Sequence, residues 1–183
     1  VGSEIHITGL EHASKRVPNA TFLQMDARQN PYQKEFDVIG AFDVLEHIEE
    51  DVEVMKQVND ALRAGGYFLL TVPQHQWLWS QVDEHAHHVR RYSKVELHEK
   101  LAATGFKVVR SSSFVSTLLP AMIASRLISK RIPVKAFDPL SEFNISPLLN
   151  YLLWRVLTLE VSLVSLGISL PMGGSRIVLA QKI

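Results

Sequence analysis

The stretch FDVIGAFDVLEHI, residues 36–48, leads through an acidic segment into ALRAGGYFLLTVP, residues 61–73, and its reading decides the fold. Residues 36–41 are an apolar run of strand length. Val52, Met55, Val58 and Leu62 then recur at helical spacing over residues 51–64. Glu49, Glu50 and Asp51 sit at the end of that helix where its dipole favours negative charge. Gly65 and Gly66 stop it, and residues 67–72 read as a buried parallel strand closed by Pro73. Strand, helix and strand in this order make a βαβ unit, and open parallel sheets collect ligands at the carboxyl ends of their strands. Function is therefore expected near residues 42–47 and just beyond Pro73.

Upstream, Ile5, Ile7 and Leu10 suggest a strand over residues 4–10 that ends in Glu11, and residues 20–25 suggest a second one ending in Asp26. Each delivers a carboxylate at a strand exit. Downstream, Ser93-Lys94-Val95-Glu96 fits the S-x-x-E capping box of a helix that carries Leu97 and Leu101 on one face and stops at Gly105. Residues 106–110 and 175–182 are both strand-like, yet about sixty residues of helix signal, broken at Pro120, Pro133, Pro139 and Pro147, lie between them. This pattern is a hairpin opened to hold an insertion over about residues 115–170, suited to a lid or a subunit interface. The expected fold is α/β, a Rossmann-like, mostly parallel sheet with helices on both faces, an antiparallel last strand and the helical insertion before it.

A chain of 183 residues with 46% hydrophobic and 21% charged residues suits one domain, here residues 1–183, with a sizeable core. Nineteen basic residues balance nineteen acidic ones, so no global field draws the chain to nucleic acid, and no such partner is expected. The absence of cysteine excludes disulfides, thiolate nucleophiles and cysteine zinc sites. The first residues show no export signal, and a cytoplasmic location is expected.

Residues 145–170 are largely apolar, but Asn150, Arg155 and Glu160 interrupt them, and each central charge would cost a membrane span roughly 2.5–3.5 kcal/mol. No transmembrane span is expected, with peripheral membrane contact as the weaker alternative. Leu118, Leu119, Met122, Ile123, Leu127 and Ile128 precede the cations Lys130 and Arg131, and Leu152, Leu153, Val156, Leu157, Val161 and Leu163 follow. These helices are expected to pack on the core, with a homodimer contact or an apolar acceptor pocket as additions.

Taken in order, ITGLE, FLQMDA, FDVIGAFDVLEHI, LRAGGYFLLTVP, HHVRRYSKVEL and GFKVV resemble the class I S-adenosylmethionine-dependent methyltransferases of the broad small-molecule group. The resemblance covers residues 4–114 and resumes over residues 173–183. It implies S-adenosylmethionine as cofactor and a small-molecule acceptor. It also implies Glu11 on the ribose hydroxyls, Asp26 on the adenine amino group and the Ala27 backbone N–H on a ring nitrogen. Phe42 would wall the methionine portion and Asp43 would accept from its ammonium. A strand-end carboxylate can accept from two neighbouring hydroxyls at once, as in dinucleotide folds.

One departure stands out. The family's glycine-rich first turn, acid-x-Gly-x-Gly, is missing, for no G-x-G occurs in the chain. Such a turn lets backbone approach the cofactor and supplies N–H donors. Between Glu11 and Asp26, HASKRVPN is also too short for a helix before the next strand. The domain thus reads as N-terminally incomplete, with further residues lost after Glu11 or His12.

A sulfonium methyl group is already electrophilic, so positioning carries most of the acceleration and a hydroxyl acceptor gains from a nearby base. His75, His85 and His88 follow the Pro73 strand end. The resemblance puts His88 first as the catalytic base, and position puts His75 second. Arg90 and Arg91 suit an anionic acceptor group, and Trp77 and Trp79 an apolar pocket.

Asp43, Glu46 and His47 with the distal His88 are similar to a pattern in small-RNA terminal 2′-O-methyltransferases and, loosely, ubiquinone-pathway O-methyltransferases, where a divalent metal binds the acceptor oxygens. L-E-H-I is widespread in metal-independent relatives, however, and no metal is expected. The reading is methyl transfer from S-adenosylmethionine to an oxygen of a small metabolite, hydrophobic where the insertion encloses it. Its rivals are a metal-assisted RNA or quinol O-methyltransferase and a noncatalytic methyltransferase-like scaffold.

Overall fold

A computed structural model describes residues 1–129 and 145–183. Its centre is the expected βαβ unit: β3 (Phe36–Phe42), α2 (Asp51–Ala61) and β4 (Leu62–Pro73), with β3 and β4 parallel. Helix α2 ends at Ala61, earlier than residue 64, because Leu62 takes up extended backbone and pairs with Phe36 as the first residue of β4. Gly65, with φ at 75°, makes the turn that follows, a conformation other residues reach only under strain.

After the short helix α3 (Gln81–His85), helix α4 (Lys94–Ala103) starts at the predicted cap, where Ser93 Oγ accepts from the Glu96 N–H. Strand β5 (Phe106–Phe114) and the last strand β6 (Ser175–Lys182) pair antiparallel, and β6 also pairs antiparallel with β4. The four-stranded sheet therefore runs β3-β4-β6-β5. The chain is an α/β protein of Rossmann-like type. Phe68, Leu70 and Val178 from the sheet meet Met55 of α2 and Leu97 and Leu101 of α4 in the buried core.

The N-terminal region departs from expectation. Strand β1 is Gly2–Glu4, and residues 7–16 form helix α1 (Ile7–Arg16) before β2 (Phe22–Gln24). Strands β1 and β2 are parallel, with Glu4 opposite Gln24. A parallel pair needs a crossover of about a dozen residues or more, usually helical. A strand running to residue 10 would leave too little chain for that crossover, whereas one ending at Glu4 leaves room for a ten-residue helix. The residues between Glu4 and Phe22 suffice for this crossover, with α1 in place of the longer first strand expected.

The insertion holds α5 (Leu119–Ser129) and α6 (Pro147–Ser165); Lys130, Arg131, Pro133 and Pro139 lie outside the described residues. Helix α6 does not pack on the core as expected. Leu148, Leu152, Leu159 and Val161 are each at least half exposed. Its firm attachment is Glu160, 2% exposed, whose carboxylate accepts from the Ser116 and Thr117 N–H groups at 2.9 Å and the Thr117 hydroxyl at 2.8 Å. Among the described helices, α6 alone is long and apolar enough to cross a membrane, a test of length and composition only.

Candidate functional site

Arg28 bridges Asp26, after β2, to Glu50, after β3, so the carboxyl ends of β2 and β3 share one edge of the molecule. Glu4 leaves β1 beside them, its backbone carbonyl accepting from the Met25 N–H at 3.1 Å. Its side chain folds over Gly9, where a Cβ would come within 2.8 Å of Glu4 Cγ, and Glu4 Oε1 accepts from the His6 N–H at 2.9 Å. Glu4 is thus the half-buried carboxylate at the first strand exit.

Glu11, expected in that place, lies on α1 and is exposed. The short apolar alternation at Ile5 and Ile7 mimics a strand, while Ile7 and Leu10 fit helical spacing equally well. Asp26 is at the next exit as expected. Both its oxygens are engaged by Arg28, with Nε at 3.0 Å and Nη2 at 2.7 Å, and these hydrogen bonds hold its pKa below the usual carboxylate value. Ala27 follows at the start of a 3-10 turn and packs against the core.

Phe42 ends β3 with 58% of its surface exposed and its ring over Gly40. Asp43 turns the chain with φ at 52°, and its N–H donates to Thr71 Oγ1 and the Thr71 carbonyl, both at 3.1 Å. His75, just past β4, has φ at 68°, and His87 has φ at 57°. Three non-glycine residues in the left-handed region around these strand ends mark stored strain of the kind found at functional sites.

The two candidate bases have different surroundings. The His75 ring stacks on Trp77 at 5.2 Å, its buried Nε2 has no hydrogen-bond partner, and burial followed by the Arg176 and Arg91 charges lowers its pKa, so it is neutral near pH 7. His88 Nδ1 lies 2.9 Å from Asp83 Oδ1, and the His88 ring meets the His47 ring edge-on at 4.7 Å. The Val89 N–H donates to the Glu46 carbonyl at 2.7 Å, which fastens the His88 segment beside the turn after β3.

Glu46 is fully buried, and neither carboxylate oxygen has a hydrogen-bond partner. Burial, followed by the charges of Asp43 and Asp83, pushes its pKa up to about 8 despite slight relief from its own backbone N–H and from Arg91. One donor atom from each of Glu46, His47 and His88 falls within 4.8 Å of the others. Sequence reading grouped these residues but assigned no metal to them.

Arg90 and Arg91 do not face an acceptor. Arg90 donates to the Ile48 and Glu49 carbonyls and pairs with Asp51, and Arg91 is buried against Asp83 at 2.7 Å. Trp77 is 53% exposed and free to line a pocket.

A protein-family model described as a methyltransferase domain matches residues 2–111. The chain belongs to the methyltransferase-domain family. Solved structures agree at the level of the fold. The [4+2]-cyclase SpnF is 17% identical with a TM-score of 0.59, over 99% of this chain and 65% of its own. An S-adenosylmethionine-dependent methyltransferase from Thermotoga maritima is 14% identical with a TM-score of 0.61, over 100% of this chain and 73% of its own. The Haemonchus contortus phosphoethanolamine N-methyltransferase 2, solved with S-adenosylmethionine, is 16% identical with a TM-score of 0.59, over 99% of this chain and 42% of its own. The chain thus spans less than two thirds of the length of the cyclase. A search of curated protein sequences gave no match.

In this methyltransferase-domain chain, sequence reading missed two residues that order the site. Asp83 is fully buried and pairs with both His88 and Arg91. Burial alone would raise its pKa, but the Arg91 contacts outweigh it and hold the carboxyl below its ordinary value. The signal was present as Ser80-x-x-Asp83, a capping box whose two reciprocal bonds both form. Gln74, the other, is also buried; its amide joins Gly173 and Ser113 and accepts from Arg176 Nε at 3.1 Å, locking β4 to β6 at the site's edge.

Proposed function

We propose that this chain transfers the methyl group of S-adenosylmethionine to an oxygen of a small metabolite. The observation that carries the reading is the placement of Glu4 and Asp26 at neighbouring exits of a parallel strand pair, with the Phe42–Asp43 turn on the same edge. Glu4 takes the ribose role that the resemblance gave to Glu11. Asp26 and the Ala27 N–H serve the adenine once Arg28 swings aside, a movement open to it on the surface. Phe42 offers an apolar wall and Asp43 an acceptor for the ammonium.

Transfer is an in-line displacement: the acceptor oxygen forms a bond to the methyl carbon as the carbon–sulfur bond breaks, and the acceptor's proton must leave. His75, neutral and with Nε2 unpaired, is the base that takes it. Trp77, stacked on His75 and half exposed, gives an acceptor ring an apolar surface. His88 has Nδ1 committed to Asp83 and positions the acceptor.

Titration of the full-length protein with S-adenosylhomocysteine tests the reading, followed by S-adenosylhomocysteine release with catechol as a model acceptor. Saturable one-site binding lost in Glu4→Ala supports it. A folded protein that binds none overturns it.

A further inference from the structure

We propose that Arg176 binds an anionic group of the methyl acceptor, a carboxylate or a phosphate carried beside the hydroxyl that His75 deprotonates. The link to that hydroxyl rests on the methyl-transfer reading, whereas the anion site itself does not. Arg176 is 4% exposed, and its three nitrogens donate to neutral oxygens: Nε to Gln74 Oε1 at 3.1 Å, Nη1 to Ser111 Oγ at 2.9 Å and Nη2 to Ser113 Oγ at 3.0 Å. Of the two buried arginines among the described residues, Arg91 has Asp83 as its anion and Arg176 has none. The partly buried cations Arg90 and Lys100 share Asp51.

A guanidinium stays charged inside a protein, so an unpaired one bears the cost of desolvation without an attraction to offset it. Burial accordingly lowers the pKa of Arg176. The group has five N–H donors, of which three are used here, and each terminal nitrogen keeps one more for the oxygens of a ligand. An amide and two hydroxyls hold the fork in place without neutralising it. Carboxylate and phosphate are the groups whose paired oxygens match such a fork.

The position is that of an acceptor contact. Arg176 pairs with Val72 of β4 and with Ser113 of β5, at the end of the sheet where β4 leads into Gln74 and His75. The buried Nε2 of His75 has no hydrogen-bond partner, and the charge of Arg176 follows burial among the causes that lower the His75 pKa. His98, whose Nε2 lies 3.0 Å from Ser111 Oγ, is lowered by burial and then by Arg176 and Lys94. A second cation stands close by, for Arg91 Nη1 donates to the Gln74 carbonyl at 3.3 Å. Hydroxyls, an amide and neutral imidazoles thus surround Arg176, and the missing complement is an anion. The anionic acceptor group first expected at Arg90 and Arg91 finds its cation on β6 instead.

The test is calorimetric titration of the full-length protein with salicylate, with its neutral counterpart salicylamide and with phenyl phosphate. One of the two anions should bind roughly 10–100-fold more tightly than salicylamide, and the tighter one names the group. Arg176→Gln should abolish that preference, with near-ultraviolet circular dichroism reporting folding. If the variant unfolds, nuclear magnetic resonance of His75 in the unmodified protein decides: the bound anion should raise the His75 pKa by offsetting Arg176, and salicylamide should not. Equal affinities for the three compounds, no saturable binding, a preference unchanged in folded Arg176→Gln, or a His75 pKa that the anion leaves in place each overturn the site. S-adenosylhomocysteine binding on the same preparation keeps the two readings apart. Anion preference without cofactor binding sinks methyl transfer and leaves the site standing, and cofactor binding without anion preference does the reverse.

Discussion

The phenol of Tyr92 donates a 2.7 Å hydrogen bond to Asp51 Oδ2, and that oxygen also receives Lys100 Nζ at 2.6 Å and Arg90 Nη1 at 2.8 Å. One buried carboxylate thereby joins α2, the segment after β4 and α4 beneath the candidate site. Tyr92→Phe removes one donor and leaves both cations, so about 1–2 kcal/mol of stability should be lost. Asp51→Ala leaves Arg90 and Lys100 facing each other without their anion, and a loss of about 2–4 kcal/mol is expected after allowance for their partial exposure. Urea denaturation of both variants measures the difference. Equal losses would show that the cations contribute nothing.

Acid should weaken the fold through the same carboxylate. Burial would raise the pKa of Asp51, but hydrogen bonds from Lys100 and Tyr92, with the Lys100 and Arg90 charges, hold it below its ordinary value. A depressed carboxyl gives its full stabilisation above the unfolded-state value of about 3.9 and loses it as pH falls through the folded-state value. The Asp51 contribution, read as the difference in melting temperature between the wild type and Asp51→Asn, should therefore hold steady from neutral pH to about 4 and shrink below it, apart from the opposite trend that the raised Glu46 pKa gives both proteins. Asp51→Asn should melt lower at neutral pH and show a shallower acid drop.

Glu4 and Glu11 separate the strand-exit assignment from its rival. A charge-assisted pair of hydrogen bonds is worth about 1.5–3 kcal/mol, or roughly 10–100-fold in affinity. Calorimetry with S-adenosylhomocysteine should show a loss of this size for Glu4→Ala and no change for Glu11→Ala. The reverse result would return the ribose to Glu11.

Helix α6 supplies a contrast between exposed and anchored side chains. Leu152 is 52% exposed, and Leu152→Glu should leave the melting temperature of the isolated chain within the small range of surface substitutions, about 0.5 kcal/mol. Glu160→Gln weakens the hold on the Ser116 and Thr117 N–H groups and should cost about 1–3 kcal/mol. A large loss at Leu152 would mean that its face is covered by another molecule in solution.

The βαβ unit from Phe36 to Pro73, the Ser93 cap and the antiparallel β5–β6 pair were legible because their signals are local and reinforce one another. Asp26, Phe42 and Asp43 followed at strand exits, where a period and its end can be read directly. The expected place of Glu11 at a strand exit differed for a reason of the same kind. A three-residue strand is too short to show a period, and the apolar residues of α1 fit strand and helix alike. The exposure of α6 was equally hidden, since an apolar helix carries no mark of what covers it.

By itself the amino-acid order determined which segments become strands and helices in the central unit, and which residues end them, because periodicity, caps and glycine turns act within a few residues. Tertiary structure alone decided that Glu4 leads the first strand exit, that Asp83 backs His88, and that Glu46 is sealed in without a donor. Those facts depend on parallel pairing and on burial, which bring together residues far apart in the chain and set the electrostatic cost of each charge only when the surrounding elements close around it.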